Sequence, residues 1–131
     1  MELLVINALN GTLPLVLRDR YPDARITCAE VFPTFYDHLQ RLGFLVCDLD
    51  AVDMKFDVVI GNPPYQNSNQ EASSGKMWPK FIRKAIDLAK PGGHVMMISP
   101  NSWLKGSIAP KGSGKLYGEL TKLDLRYVDN M

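Results

Sequence analysis

The sequence predicts a single α/β domain, residues 1–131, built on a mainly parallel, doubly wound sheet. Apolar segments of strand length alternate with segments of helix length along the chain, which is the pattern of repeated strand-helix-strand units with right-handed crossovers. The strand-length segments are apolar almost continuously rather than at every second position, as is typical of strands covered on both faces. At this length roughly two-thirds of the surface of the unfolded chain can be buried, so the core needs neither a metal ion nor a disulfide.

Six segments are expected to form strands, because each is short and rich in Val, Ile and Leu. In chain order they are Leu3–Ala8, Arg25–Ala29, Phe44–Cys47, Phe56–Ile60, His94–Ser99 and Leu123–Val128. Three segments between them carry apolar side chains at helical spacing and are expected to be helices: Leu13–Arg20, Thr34–Leu42 and Lys80–Ala89. Pro91, Gly92 and Gly93 follow the third helix and are typical of a helix end that leads directly into a strand.

The charge of the chain excludes a protein that attracts polyanions through its net field. The sequence has 15 basic and 14 acidic residues and a formal net charge of +1, so any contact with nucleic acid must be local. No apolar stretch approaches the length of a membrane span, and the first residues lack the pattern of a signal peptide. We therefore expect a cytoplasmic protein without a membrane partner.

The cysteines and histidines of the chain do not form the pattern of a metal site. Cys28 and Cys47 stand alone, without CxxC spacing, and are expected to be reduced and buried thiols. His38 lies within a predicted helix and His94 opens a predicted strand, and neither has a partner at ligand spacing. The sequence therefore predicts no bound metal ion.

The strongest functional signal is the end of the fourth predicted strand, where Phe56–Ile60 leads through a glycine into Asn62, Pro63, Pro64 and Tyr65. Two successive prolines fix φ and remove two backbone donors, which gives a stiff elbow with unpaired carbonyl groups. The side-chain oxygen of Asn62 then lies beside a free backbone carbonyl, and two neighbouring acceptors suit an NH2 group. Tyr65 offers a flat face on which a planar ring can stack. The alternative is a proline turn in which Asn62 caps the strand and Tyr65 packs on the surface.

Two polar segments follow predicted strand ends and are expected to be loops. Gln66–Lys76 is polar, small and without periodicity, and Lys105–Lys115 is rich in Gly, Ser, Pro and Lys. In an open parallel sheet, ligands bind outside the carboxyl ends of the strands. Both segments are therefore predicted to border the binding cleft.

The Asn-Pro-Pro-Tyr tetrad that begins at Asn62, the following Gln66, and the segment Lys90–Leu104 resemble the amino-methyltransferases that use S-adenosylmethionine. The similarity is greatest to the adenine-N6 DNA methyltransferases of restriction-modification and phage systems, and it covers Leu3–Val128. It implies a Rossmann-like methyltransferase fold, S-adenosylmethionine as cofactor, and a catalytic role for the tetrad. The same tetrad is found in enzymes that act on guanine of ribosomal RNA and on protein glutamine, so these substrates stay open.

The resemblance assigns the methionine part of the cofactor to the turn after the first strand, where the family carries an acidic residue and a glycine-rich turn. In this chain Asn7 stands where the carboxylate is usual and Leu13 where a second glycine is usual, while Gly11 is retained. Asn62 is expected to contact the cofactor as well as the amine. The charge that would hold the cofactor's ammonium group is absent, so we expect weak cofactor binding.

Two acidic residues at strand ends are the expected ligands of the nucleoside part of the cofactor. Glu30 closes the second strand about twenty residues after Gly11, the offset at which an acid of a nucleotide-binding βαβ unit takes both ribose hydroxyls. Asp48 closes the third strand, where the resemblance places an acid that accepts from the adenine amine of the cofactor. Asp50, two residues further on, is the alternative.

The resemblance also implies that the methyl group goes to the N6 amine of an adenine that is flipped out of duplex DNA. Five lysines near the predicted cleft are expected to contact DNA phosphates: Lys76, Lys80, Lys105, Lys111 and Lys115. Compared with the family, the chain stops after the sixth strand and lacks a segment that reads the DNA sequence. It is therefore expected to be a fragment, to be completed by a partner subunit or recognition domain, or to be a degenerate relative that serves as a binding subunit.

Overall fold

The computed structural model describes residues 1–64, 77–101, 104, 113–126 and 128. The described residues form one sheet, whose strands are β1 (Glu2–Ile6), β2 (Arg25–Glu30), β3 (Leu45–Asp48), β4 (Phe56–Gly61) and β5 (Ala89–Met97). Their order in the sheet is β3-β2-β1-β4-β5, and every neighbouring pair is parallel. This sheet confirms the predicted α/β class.

Within the described residues there are four α-helices: α1 (Thr12–Arg20), α2 (Tyr36–Arg41), α3 (Trp78–Leu88) and α4 (Ser113–Leu120). The first three match the three predicted helices to within two residues at each end. Two short 3-10 turns, Pro33–Phe35 and Leu49–Ala51, precede α2 and follow β3. None of the described helices combines the length and the apolar character that a membrane crossing requires.

The centre of the core is β1, which is buried on both faces. Leu4 and Ile6 pack on the side of the sheet that α3 covers, and Leu3 and Val5 pack on the side covered by α1 and α2. All four side chains are at most 1% exposed. Each such burial contributes about 2 kcal/mol, so the strand that leads to the predicted cofactor turn is firmly held. The interpretation of continuously apolar strands as covered on both faces is confirmed for β1.

The fifth strand corrects two details of the prediction. β5 begins at Ala89, directly after α3, so Pro91, Gly92 and Gly93 lie within the strand at a register shift against β4. These residues do not form the helix end that we predict for them. Met96 is also 59% exposed, so this strand, unlike β1, is not covered on both of its faces by the described residues.

The prediction of a sixth strand at Leu123–Val128 is wrong. Residues 121–126 form turns and irregular chain that follow α4, and Leu123 and Leu125 are each 45% exposed. The segment has the composition of a strand, but in the structure it pairs with no described strand. Apolar composition alone does not make this segment a strand, because a strand also needs a neighbouring strand with which to form hydrogen bonds.

Helix α4 was not predicted, since we expect Lys105–Lys115 to be a loop and the helix overlaps the end of that segment. Leu116 and Leu120 of α4 are buried against Trp78 of α3 and its neighbours. Only one helical turn separates these two leucines, in a segment that also holds glycine and serine. So short an apolar repeat gives little helical signal, and it is packing against α3 that stabilises the helix.

Both cysteines are free thiols, and Cys28 is buried as predicted, whereas the predicted burial of Cys47 is wrong. Burial, with smaller contributions from the charge of Glu30 and from Cys47, raises the pKa of Cys28 to about 12. Burial and the charge of Asp48 raise the pKa of Cys47, which is only half-buried. Because the thiolate is the nucleophile, iodoacetamide at about pH 8 should modify Cys47 slowly and Cys28 only after unfolding. Mass spectrometry in native and denaturing buffer measures this order, and equal labelling of both cysteines in native buffer would contradict it.

Candidate functional site

The carboxyl ends of β1, β2 and β4 meet at one edge of the sheet. Asn7 follows β1, Glu30 ends β2 and Asn62 follows β4. Because these strands are parallel and adjacent, the three predicted site residues come to the same edge, where ligands of open parallel sheets bind. Hydrogen bonds join the turn after β1 both to Glu30 and to Asn62.

The end of β4 lies very close to β1 at the paired residues Ile6 and Gly61. A Cβ atom on Gly61 would lie 2.6 Å from the carbonyl oxygen of Ile6 and 2.9 Å from its Cβ atom. Neither atom can move without distorting the strand, so only glycine fits here. This close approach brings the residue after β4 within hydrogen-bond distance of the residue after β1.

The elbow after β4 has an exposed asparagine and a buried proline. Asn62 is exposed, Pro63 is fully buried and Pro64 is half-buried. The backbone N–H of Ile98 donates to the carbonyl oxygen of Gly61 (3.0 Å), which fixes the peptide that leads into the elbow. An exposed amide on a fixed main chain suits a residue that faces a ligand. Tyr65 lies outside the described residues, so its stacking role stays a prediction.

Asn7 is 8% exposed and has a left-handed backbone conformation, with φ of 60°. Its side-chain Nδ2 donates to the carbonyl oxygen of Asn62 (2.7 Å), and its backbone N–H donates to that of Ala29 (2.9 Å). A carbonyl oxygen only accepts, so the amide must present its nitrogen to Asn62 and its oxygen elsewhere. That oxygen, Oδ1, is buried and has no hydrogen-bond partner among the residues that the structure describes. A buried acceptor of this kind fits a donor on a ligand.

Gly11 occupies the turn into α1 in the left-handed region, with φ of 83°. A Cβ atom there would lie 2.7 Å from Cδ1 of Leu42 and 3.3 Å from Cδ2 of Leu39, so these side chains would have to shift, and the positive φ would strain any residue other than glycine. Leu13 lies in the first turn of α1 and packs against the core beside these leucines. The position that the family fills with a second glycine is a packing position in this chain.

Glu30 is fully buried, and main-chain N–H groups occupy both oxygens of its carboxylate. Oε2 accepts from Leu9 (2.6 Å), and Oε1 accepts from Val31 (2.8 Å) and Phe32 (2.9 Å). These charge-assisted bonds join the chain after β2 to the turn after β1. The orientation differs from an open carboxylate that awaits two ribose hydroxyls, so ribose binding by Glu30 stays a prediction.

We expect Glu30→Gln to lower the free energy of unfolding by about 2 kcal/mol, because an NH2 group would face main-chain donors in a buried site. Asp48→Asn is a matched control, since Asp48 pairs with Glu30 in the sheet but is exposed. It should change the same quantity by less than about 0.5 kcal/mol. Denaturant unfolding of both variants measures the difference, and an equal effect of the two would contradict a stabilising role for the Glu30 bonds.

Asp48 and Asp50 are both exposed after β3, next to the end of β2. Asp48 Oδ1 accepts from the backbone N–H of Asp50 (2.8 Å) and so caps the following 3-10 turn. The hydroxyl of Tyr36 donates to the carbonyl oxygen of Glu30 (3.2 Å). This hydrogen bond places Tyr36 at the same strand ends, where desolvation, and then the charge of Asp48, raise its pKa. The choice between Asp48 and Asp50 as a cofactor ligand stays a prediction.

Two of the five lysines expected at DNA phosphates lie within the described residues. Lys80 is exposed in the first turn of α3, and Lys115 is exposed on α4. Lys76, Lys105 and Lys111 lie outside the described residues. Phosphate binding is therefore a prediction for all five.

The two histidines are exposed. His38 Nε2 lies 3.0 Å from the carbonyl oxygen of Asn10 and ties α2 to the turn before α1. His94 lies on β5, away from that turn in the sequence. In the part of the chain that the structure describes, no group of three or more His, Cys, Asp and Glu side chains could hold a metal ion.

Two features of this edge are not predicted from the sequence. The first is the close approach at Gly61, for which a glycine at the end of a central strand was a usable signal. The second is the contact between Asn7 and the carbonyl of Asn62, residues 55 apart in the chain. No local sequence pattern predicts that contact, because it depends on which two strands are neighbours in the sheet.

In sequence, residues 18–116 match the model of a protein family described as Eco57I restriction-modification methylase. The chain is also similar to a protein of Mycoplasma pneumoniae (strain ATCC 29342 / M129 / Subtype 1) named "Uncharacterized adenine-specific methylase". The two are 47% identical over 55 residues, which cover 39% of this chain and 13% of the relative. The chain thus matches only a small part of the relative's length.

Solved structures of methyltransferases share the fold. A methyltransferase from Pyrococcus furiosus is 20% identical with a TM-score of 0.54, covering 76% of this chain and 55% of its own. Human Methyltransferase-like protein 13, in complex with SAH, is 22% identical with a TM-score of 0.51, covering 71% and 51%. Coclaurine N-methyltransferase, bound to N-methylheliamine and SAH, is 14% identical with a TM-score of 0.56, covering 73% and 30%. These neighbours identify the sheet and helices as a Rossmann-like methyltransferase fold.

Proposed function

The chain belongs to the Eco57I restriction-modification methylase family, and on that premise we propose that it transfers a methyl group from S-adenosylmethionine to the N6 amine of adenine in DNA. The observation that carries the proposal is the exposed Asn62, held beside the buried, unpartnered oxygen of Asn7. The side-chain oxygen of Asn62 can accept a hydrogen bond from the substrate amine, and the side-chain oxygen of Asn7 can accept one from the cofactor. The name of the Mycoplasma pneumoniae relative supports adenine as the target.

The residues at this edge fit the two ends of S-adenosylmethionine. Oδ1 of Asn7 suits the ammonium group, and Gly11, which is itself buried, gives the turn before α1 its left-handed conformation. Asp48 would accept from the adenine amine of the cofactor, and Glu30 would bind ribose after one oxygen exchanges a main-chain N–H for a hydroxyl. When bound, the cofactor supplies a methyl group on a positively charged sulfur. The SAH in two of the structural neighbours supports this cofactor.

Catalysis would rest on positioning, because an adenine amine is a poor nucleophile whose lone pair is delocalised into the ring. Oδ1 of Asn62 and the carbonyl oxygen of Pro63 would accept its two hydrogens and direct the lone pair toward the methyl donor. No residue has to remove a proton first, since the proton can leave after the methyl group has been transferred. This division of work agrees with an elbow whose main chain is fixed and whose asparagine is exposed.

An adenine within a duplex has to be flipped out before its amine reaches Asn62, at a cost of about a few kcal/mol for unstacking. Tyr65 would stack on the flipped base. Contacts to the DNA phosphates would come from Lys76, Lys80, Lys105, Lys111 and Lys115. Recognition of the DNA sequence would come from a partner subunit or a recognition domain, as the family resemblance implies.

Calorimetric titration with S-adenosylmethionine, followed by tritium-methyl transfer to DNA, RNA and protein in parallel, tests the proposal. We expect cofactor binding and label in DNA, recovered as N6-methyladenine after digestion to nucleosides. Label in RNA or in protein, instead of DNA, would show that the substrate amine is that of guanine or of glutamine and not that of adenine. Absence of cofactor binding would overturn the proposal in favour of a binding subunit with a methyltransferase fold.

A further inference from the structure

We propose that Asn7 is a positioning residue for the elbow: its side-chain NH2 group fixes the carbonyl of Asn62, while its oxygen faces the cofactor. One amide would thereby join the cofactor turn to the residue that receives the substrate amine. This inference rests on the proposed function, because it gives Asn62 the role of amine acceptor. It adds a residue whose effect passes through the main chain of the elbow rather than through contact with substrate.

The geometry of the amide carries the inference. Asn7 is 8% exposed, and its backbone is held by the bond from its N–H to the carbonyl oxygen of Ala29 (2.9 Å). From this fixed position, Nδ2 reaches the carbonyl oxygen of Asn62 at 2.7 Å. The bond is short and partly buried, and its donor is fixed, so it restricts the movement of the Asn62 carbonyl. Asn7 therefore holds the main chain of Asn62 and, through it, limits where the Asn62 side chain can lie.

A second anchor acts on the preceding peptide. The backbone N–H of Ile98, which follows β5, donates to the carbonyl oxygen of Gly61 (3.0 Å). Asn7, which follows β1, donates to the next carbonyl, that of Asn62, so residues after both neighbours of β4 hold the elbow. The following Pro63 is fully buried and has a fixed φ. These constraints hold the main chain of the elbow and leave Asn62 as its exposed side chain.

The chemistry of the contact explains why an amide stands where the family carries a carboxylate. A carboxylate at residue 7 would attract an ammonium group more strongly, but it has no hydrogen to donate to Asn62. Two oxygens would then face each other at the distance of the present bond. The amide of Asn7 thus lacks the negative charge that would attract the ammonium group, but its NH2 group can donate a hydrogen bond to the carbonyl of Asn62.

Asn7→Asp tests the inference, because it removes the donor with almost no change of shape. We expect kcat to fall about a hundredfold, since a small misplacement of a reacting group costs that much, while KM for S-adenosylmethionine stays unchanged or falls. Gln40→Glu, an exposed amide-to-acid change on α2, should leave both parameters unchanged. A merely structural role would lower the melting temperature of Asn7→Asp without this split between kcat and KM, and that result would overturn the inference.

NMR of the unmodified protein keeps the inference testable if Asn7→Asp does not fold or if no substrate is methylated. We expect slow exchange of the Asn7 side-chain amide protons and a coupling from its Nδ2 to the carbonyl carbon of Asn62. Fast exchange without the coupling would overturn the positioning contact. Absence of methyl transfer by the wild-type protein, with the coupling present, would instead overturn the proposed function.

Discussion

Asn62→Ala is expected to reduce methyl transfer by at least about a hundredfold, because it removes the side-chain acceptor that would hold the substrate amine. Asn62 is exposed, and its contact with Asn7 uses the backbone carbonyl, which alanine keeps. The free energy of unfolding should change by at most about 1.5 kcal/mol, the upper range for one hydrogen bond of a side chain. Initial rates with tritiated S-adenosylmethionine and denaturant unfolding measure the two effects separately.

The matched variant for this prediction is Asn62→Asp, which keeps an acceptor oxygen at the same place. It should retain more activity than Asn62→Ala, since a carboxylate can also accept from an NH2 group. If Asn62→Ala turned over at the wild-type rate, the assignment of the elbow as the catalytic group would fall. If both variants were equally inactive, acceptance by the side-chain oxygen would not be sufficient, and the amide nitrogen would have a role of its own.

The parts of the fold that sequence patterns predicted well are those in which local composition and burial coincide. β1 and β4 lie inside the sheet; the continuous apolar residues of β1 reflect cover on both sides, and β4 is apolar apart from Asp57. Leu123–Val128 has similar residues but no strand beside it among the described residues, so the same reasoning failed. α4 was missed for the opposite reason, because a helix with one buried turn owes its stability to α3 rather than to its own sequence.

The candidate site shows the same division between local and non-local information. Asn62 was predicted as a site residue because a strand that leads into a proline pair is a local signal with a direct physical meaning, whereas Gly11 was assigned from the family resemblance. The position of Glu30 at the end of β2 was also local, but the orientation of its carboxylate depends on Leu9, a residue of another turn. Asn7 was interpreted as the loss of a charge, since its second partner is the carbonyl of a residue 55 positions away.

Gly61→Ala is expected to lower the free energy of unfolding by about 3 kcal/mol, the largest change in stability that we predict. The added methyl group would lie 2.6 Å from the carbonyl oxygen of Ile6, at the last paired residues of β1 and β4, and the two strands cannot move apart there without losing the end of their ladder. Because Ile6 precedes Asn7 and Gly61 precedes Asn62, relief of the overlap would also lengthen the bond between those two residues. Methyl transfer by the folded fraction should fall as well.

Gly118→Ala separates this steric effect from the general effect of removing a glycine. Gly118 lies in α4 and no atom stands within 4 Å of the position its Cβ would take, so alanine should raise the free energy of unfolding by up to about 1 kcal/mol. Denaturant unfolding of the two variants should therefore give changes of opposite sign. A stable Gly61→Ala variant with normal methyl transfer would show that β1 and β4 are not in close contact at this edge, and the contact between Asn7 and Asn62 would lose its basis.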